Sequence, residues 1–166
     1  MLDVSILDCY YHYHEVNVHQ ASGSDGAIIP NRNGSHFSYI CPAGVYKATG
    51  GYIVLAAFLH HWPDFCAAMN RRDLIADEAW SSDAARLENI DEVIAIVEAW
   101  MQTFPDVDSV IQLLDSHNVP CAPVLSVNDT LTHPHLVKRG APAVCEEGLA
   151  WVPNGPLHFR RTRGNL

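Results

Sequence analysis

The run from Gly44 to Trp62, GVYKATGGYIVLAAFLHHW, constrains the fold of this chain more than any other stretch. A glycine pair, Gly50 and Gly51, separates two apolar segments, and glycine supplies the positive φ angles that a tight hairpin turn demands. The run therefore predicts two short strands joined at the glycines and delivered into a helix that begins near Trp62 and Pro63.

Downstream, Ser82 is placed to cap a helix over residues 83–104. Leu87, Ile90, Ile94, Val97, Met101 and Phe104 recur in alternating steps of three and four with Trp100 beside them. That is the period of one buried helical stripe, with Ile94 and Val97 expected among its most buried positions. Pro105 stops it, a second helix starts near Asp106 with Val110, Ile111 and Leu114 inward, and Asn118 tolerates a left-handed end. Cys121–Leu125 reads as a buried strand, Ser126 as the cap of a short helix to about Leu131, and Glu146-Glu147-Gly148 as the tip of a hairpin. Upstream, residues 3–5 read as a strand end and Ser5 as the cap of a helix to about Gln20. The stretch ASGSDGAIIP, Ala21–Pro30, is expected to be a mobile connector, and Arg71–Trp80 a short irregular helix.

Charge excludes one large class. Ten Lys and Arg stand against nineteen Asp and Glu, a formal charge of −9, whereas a nucleic-acid binder needs a basic face to neutralise phosphates. No signal-like segment and no apolar run near the roughly 20 residues that span a bilayer is present, so a cytoplasmic, membrane-free setting is expected. Five cysteines without a C-x-x-C pair are expected to stay reduced. No metal site is expected either: His12 and His14 diverge on a helix, and His60-His61 and His133-x-His135 lack a supporting carboxylate or thiol cluster. No G-x-S-x-G elbow or Gly-rich phosphate cradle occurs, and Cys121 in an apolar strand is expected to be inert.

Taken in order, Asp3-Val4-Ser5-Ile6-Leu7-Asp8, Arg32-Asn33-Gly34-Ser35, Pro42-Ala43-Gly44-Val45-Tyr46, Gly50-Gly51, Trp62, Asn118–Val124 and His133-Pro134-His135-Leu136 with Arg139-Gly140 resemble the family III CoA-transferases, formyl-CoA transferase among them. The resemblance covers roughly residues 2 to 160. It departs at Gly50 and His133, where the family usually has Asp, and at Ser35, where it has Asn.

The resemblance implies an α+β fold: the small domain of a family III protein, with segments of a Rossmann-like large domain at both ends. Residues 1–20 would belong to the large domain, 21–35 to connector and loop, 36–140 to the small domain, and 141–166 to the return segment. The parent reaction moves CoA between carboxylic acids through an aspartyl-CoA thioester, with acyl-CoA as substrate and no covalently bound cofactor. Its nucleophilic aspartate is expected upstream of the Asp-Val-Ser junction, so no catalytic residue is assigned here and the chain alone is expected to be inactive. Arg32, Asn33, Gly34 and Ser35 are the candidates for a loop that closes over the thioester; an ordinary Asn-Gly turn is the competing reading. Partners would be a second copy, as in the family's interlocked dimers, or a subunit carrying the large domain. Two alternatives stand beside the transferase: a non-catalytic interaction or dimerisation module, and an acyl-CoA racemase.

Overall fold

The computed structural model describes residues 5–145 and 150–154, and the chain divides into two units, Met1–Ser38 and Tyr39–Leu166. In the first, Ser5 caps α1 (Ile6–His12), its Oγ accepting from the Asp8 N–H at 3.3 Å. The expected helix to Gln20 is broken. Tyr13 and His14 interrupt it, and α2 (Glu15–Gly23) begins afresh behind His14 without a side-chain cap. The run Tyr10–His14 is aromatic, of modest helix propensity, and has no apolar stripe to bury that would hold it straight; no described residue of this unit is buried. Past Gly23, Asp25 takes a φ of +52° and lets the Gly26 N–H donate to the Ala21 carbonyl at 2.8 Å. The start of the expected connector is thus a helix end with a formed cap.

The second unit is built on β1 (Ala43–Ala48) and β2 (Gly51–Ala56), paired antiparallel with Val45 opposite Val54 and Ala48 opposite Gly51. Of the two glycines only Gly50 uses a positive φ, +79°. Gly51 already lies in the strand, where a Cβ would stand 3.1 Å from the Val107 methyl, so its lack of a side chain serves close packing. β3 (Cys121–Pro123) pairs with the other edge of β2, Leu55 opposite Cys121. It is shorter and more open than the sequence suggests: Cys121 is half-buried, Ala122 and Pro123 exposed.

Helices cover one face of this sheet. After β2 come α3 (Trp62–Ala68), α4 (Asp73–Ala76) and a 3-10 turn, Glu78–Trp80. The single helix expected over 83–104 is two, α5 (Asp83–Glu88), capped by Ser82, and α6 (Ile90–Met101), which ends short of Phe104. At the break Asn89 has φ −110° and ψ 28°, and its side-chain amide donates back to the Ala85 carbonyl at 3.0 Å, a local bond that competes with helix continuation. The reorientation puts Val93, Val97 and Met101 in the core and leaves Ile94 half-buried. α7 (Val107–Ser116) follows, capped by Asp106 and burying Val110 and Leu114. Asn118, φ +56°, ends it as expected, with the Val119 N–H donating to Leu114 at 3.0 Å. Asn70 repeats the device after α3, where the Arg71 N–H reaches Cys66 at 2.8 Å.

The core joins Tyr46, Ile53 and Leu55 on the sheet to Val93, Val97, Met101, Val110 and Leu114 on the helices, each aliphatic contributing about 1.5 to 3 kcal/mol. Beyond it lie α8 (Val127–Thr132), with a capping box between Ser126 and Asp129, and α9 (Pro134–Arg139). β4 (Pro142–Val144) and β5 (Trp151–Pro153) form the expected hairpin. Its tip at residues 146–148 and the strand end at residues 3–4 lie outside the described residues.

Candidate functional site

Residues 31–36 of the first unit carry the candidate loop. Asn31 Oδ1 accepts from the Arg32 N–H at 2.8 Å, and the Asn33 carbonyl accepts from the His36 N–H at 3.4 Å, which closes a turn over Gly34. Gly34 takes a φ of +65° with no heavy atom within 4 Å of the position a Cβ would occupy. The need for glycine here is therefore conformational, and the turn leaves its backbone open to an approaching group. Arg32, Asn33, Gly34 and Ser35 are all exposed. Ion pairs among the described residues join Arg71 to Asp73 and Arg86 to Asp83; the Arg32 guanidinium belongs to neither. This is a cation beside a bent backbone, able to hold a phosphate or carboxylate.

Other reactive types are used otherwise. Burial pushes the Cys41 thiol up to about 11, the Cys66 thiol to about 12 and the Cys121 thiol to about 11, which leaves them protonated and poor nucleophiles. His12 ends α1 and His14 precedes α2. The His60 and His61 rings approach to 3.8 Å between centroids, yet no group of three metal-binding side chains occurs among the described residues. No described helix is long and apolar enough to cross a membrane.

Sequence reasoning missed Arg86, which is fully buried. Its Nε donates to the Cys41 carbonyl, its Nη1 to the Trp80 carbonyl at 2.5 Å and its Nη2 to Asp83 at 2.9 Å, and its guanidinium lies 4.4 Å from the centre of the Trp62 ring. Asp83 also accepts from the Cys41 N–H at 3.1 Å. Every contact is internal, so the role is structural: one cation ties the entry to β1 to α3, α5 and the 3-10 turn. An arginine inside an apolar helical stripe was the available signal.

A hairpin with helices on one face, preceded by an open glycine turn, defines the class, a mixed α+β protein with an exposed loop. The chain belongs to CoA-transferase family III, whose family model matches residues 1–166. A succinyl-CoA:mesaconate CoA-transferase of Haloarcula hispanica is 32% identical over 139 residues, 83% of this chain and 34% of the relative. A formyl-CoA:oxalate CoA-transferase of Escherichia coli O157:H7 is 28% identical over 134 residues, 77% of this chain and 32% of its own length. The chain thus spans about a third of the curated relatives it matches. In structure, a CaiB/BaiF family protein from Brucella suis superposes with a TM-score of 0.74 at 20% identity, over 96% of this chain and 41% of that one.

Proposed function

We propose that this chain comprises the small domain and loop of a CoA-transferase with segments of its large domain at both ends, in which Arg32–Ser35 close over an acyl-CoA thioester held elsewhere in the family fold. The supporting observation is the Gly34 turn, open at its backbone and flanked by Arg32, which makes no ion pair among the described residues, in a chain that the family model matches throughout. In the parent reaction an aspartate carboxylate attacks the thioester carbonyl and CoA leaves as thiolate; the thiolate then attacks the aspartyl carbonyl of the resulting anhydride, releasing the first acid and forming the aspartyl-CoA thioester, and the second acid's carboxylate takes up CoA by the same two steps in reverse, which frees the aspartate. Loop N–H groups stabilise the oxyanion of such a step but cannot replace the attacking carboxylate. By the family resemblance that carboxylate is expected upstream of the Asp-Val-Ser junction, and the loop's share of the reaction is binding and oxyanion stabilisation.

The test is acyl-CoA binding by calorimetry together with hydroxylamine trapping of any enzyme-bound acyl group. Arg32→Ala and Gly34→Ala, the latter straining an L-residue at positive φ by about 1 to 2 kcal/mol, should each weaken binding. Binding indifferent to both substitutions rejects the loop's role, and an acyl group trapped on Asp3, Asp8 or Asp25 rejects the external nucleophile. A second reading, the interaction module, is favoured by one observation: the first unit exposes Ile6, Leu7, Tyr10, Tyr13 and Ile29 and buries nothing among its described residues.

A further inference from the structure

We infer that Asp83 and Arg86 are positioning residues for the Arg32–Ser35 loop: together they hold both backbone groups of Cys41 and so fix the stem from which that loop closes. The inference rests on the loop reading and adds to it the residues that set the loop's geometry.

Four residues, Phe37–Ile40, join His36 to Cys41. Phe37 and Ser38 are exposed, Tyr39 and Ile40 half-buried, and Cys41 is the first buried residue among those described. At this entry to the core the Cys41 N–H donates to Asp83 Oδ1 at 3.1 Å, and its carbonyl accepts from Arg86 Nε. One residue later the strands take over, the Ala57 N–H donating to the Pro42 carbonyl at 2.9 Å. The clamp is itself immobilised. Arg86 Nη2 donates to the same Asp83 Oδ1 at 2.9 Å, Nη1 donates to the Trp80 carbonyl, and the guanidinium lies over the Trp62 ring. A planar guanidinium and a carboxylate three residues before it on α5 thus grip one residue's N–H and carbonyl with directional bonds, which fix orientation as well as distance. Apolar packing around Cys41 would exclude water without setting an angle. A closing loop moves by changing φ and ψ at a few residues, here Phe37–Ile40, and returns to one closed geometry only if the residue behind them is fixed. Binding depends on that return, since a misplacement of about 1 Å costs on the order of a hundredfold in a reacting complex. Asp83 and Arg86 act on the loop through the chain at Cys41 and need no contact with the ligand.

The experiment is calorimetric titration of the full chain with succinyl-CoA, at a temperature where circular dichroism shows every variant folded. Asp83→Ala strips the acceptor from the Cys41 N–H and the carboxylate from Arg86, and should weaken binding by about tenfold or more. Asp83→Asn keeps an Oδ1 in place for both donors and should stay within about threefold of the parent. Val97→Ala lowers stability and leaves the clamp's hydrogen bonds in place, so it should leave the affinity unchanged; this separates positioning from a general loss of stability. If Asp83→Ala does not fold, Arg86→Lys takes its place with the same expectation, because an ammonium cannot serve the Cys41 and Trp80 carbonyls together with Asp83. Parent-like binding by the clamp variant overturns the inference, as does equal weakening by Val97→Ala or a loss that Asp83→Asn does not show rescued. Arg32→Ala on the same footing separates the two proposals. Binding weakened by Arg32→Ala and untouched by the clamp variant counts against the clamp alone, whereas binding indifferent to Arg32→Ala counts against the loop and the clamp with it. Absence of binding by the parent chain overturns both.

Discussion

Replacing Arg86 by Met keeps the volume and apolar stem of the side chain and removes its charge and donors. Two carbonyls, those of Cys41 and Trp80, lose the donors they have in the buried interior, and each stranded acceptor costs about 1 to 3 kcal/mol. The face of Trp62 loses a cation at 4.4 Å, worth about 1 to 2 kcal/mol when desolvated. Asp83 is cushioned, because it keeps the Cys41 N–H and its side chain is 26% exposed. Partial relaxation reduces the sum, and the expected loss is about 3 to 5 kcal/mol, the range for removing one partner of a buried pair. Against a typical total of about 5 to 15 kcal/mol this takes a large share of the fold's stability. Arg86→Lys should recover only part, since an ammonium cannot serve three acceptors in the plane of a guanidinium. Urea denaturation read by tryptophan fluorescence suits the site, with Trp62 and Trp80 both in contact with Arg86. An Arg86→Met protein within about 1 kcal/mol of the parent would refute the assignment of Arg86 as the tie between these elements.

His133 precedes α9 without capping it, so His133→Asp, which restores the family's usual residue, should raise stability by about 0.5 to 2 kcal/mol in thermal melts. Val97→Ala should cost about 2 kcal/mol and Ile94→Ala less, since Val97 is 1% exposed and Ile94 half-buried; equal costs in chemical denaturation would contradict the placement of α6. Burial, then the adjacent His60, hold the His61 imidazole below its usual range. A lowered folded-state pKa means that stability is present above the unfolded value of about 6.5 and is lost as pH falls through the folded pKa. Melting temperature should therefore drop on acidification below neutrality, and His61→Asn should flatten that part of the profile.

Features carried by a few neighbouring residues were legible in the sequence. Ser5, Ser82 and Ser126 cap where expected, and Gly50 and Asn118 take the positive φ that their positions call for. Both helix breaks were not legible. A periodicity running through Asn89 has no local reason to stop there; the break accompanies the pinning of α5 by Arg86 to Cys41 and Trp80, contacts separated by 45 and 6 residues. The facing of α6 then changed with it, exchanging Ile94 for Val93. Residues 31–36 are singled out by family resemblance alone, because exposed polar side chains around a glycine turn have the same local signature whether or not a ligand uses them.

The two units differ in what holds them. The second has a core joining sheet and helices, whereas α1 and α2 have seven and nine residues and bury nothing. Isolated helices shorter than about 12 to 15 residues are marginal in water. Short helices that bury no face gain order from any partner that binds their folded form. A partner that binds only the folded form adds RT ln(1 + [L]/Kd), about 2.7 kcal/mol at a hundredfold excess over Kd. If the partner is a second copy, dilution removes that term from the first unit and leaves the second untouched. Amide exchange should then accelerate on dilution in residues 6–23 and remain constant at Val93, Val97 and Val110. Uniform acceleration through both units would mean that they unfold together, and constant exchange in α1 and α2 would mean that they are ordered without a partner.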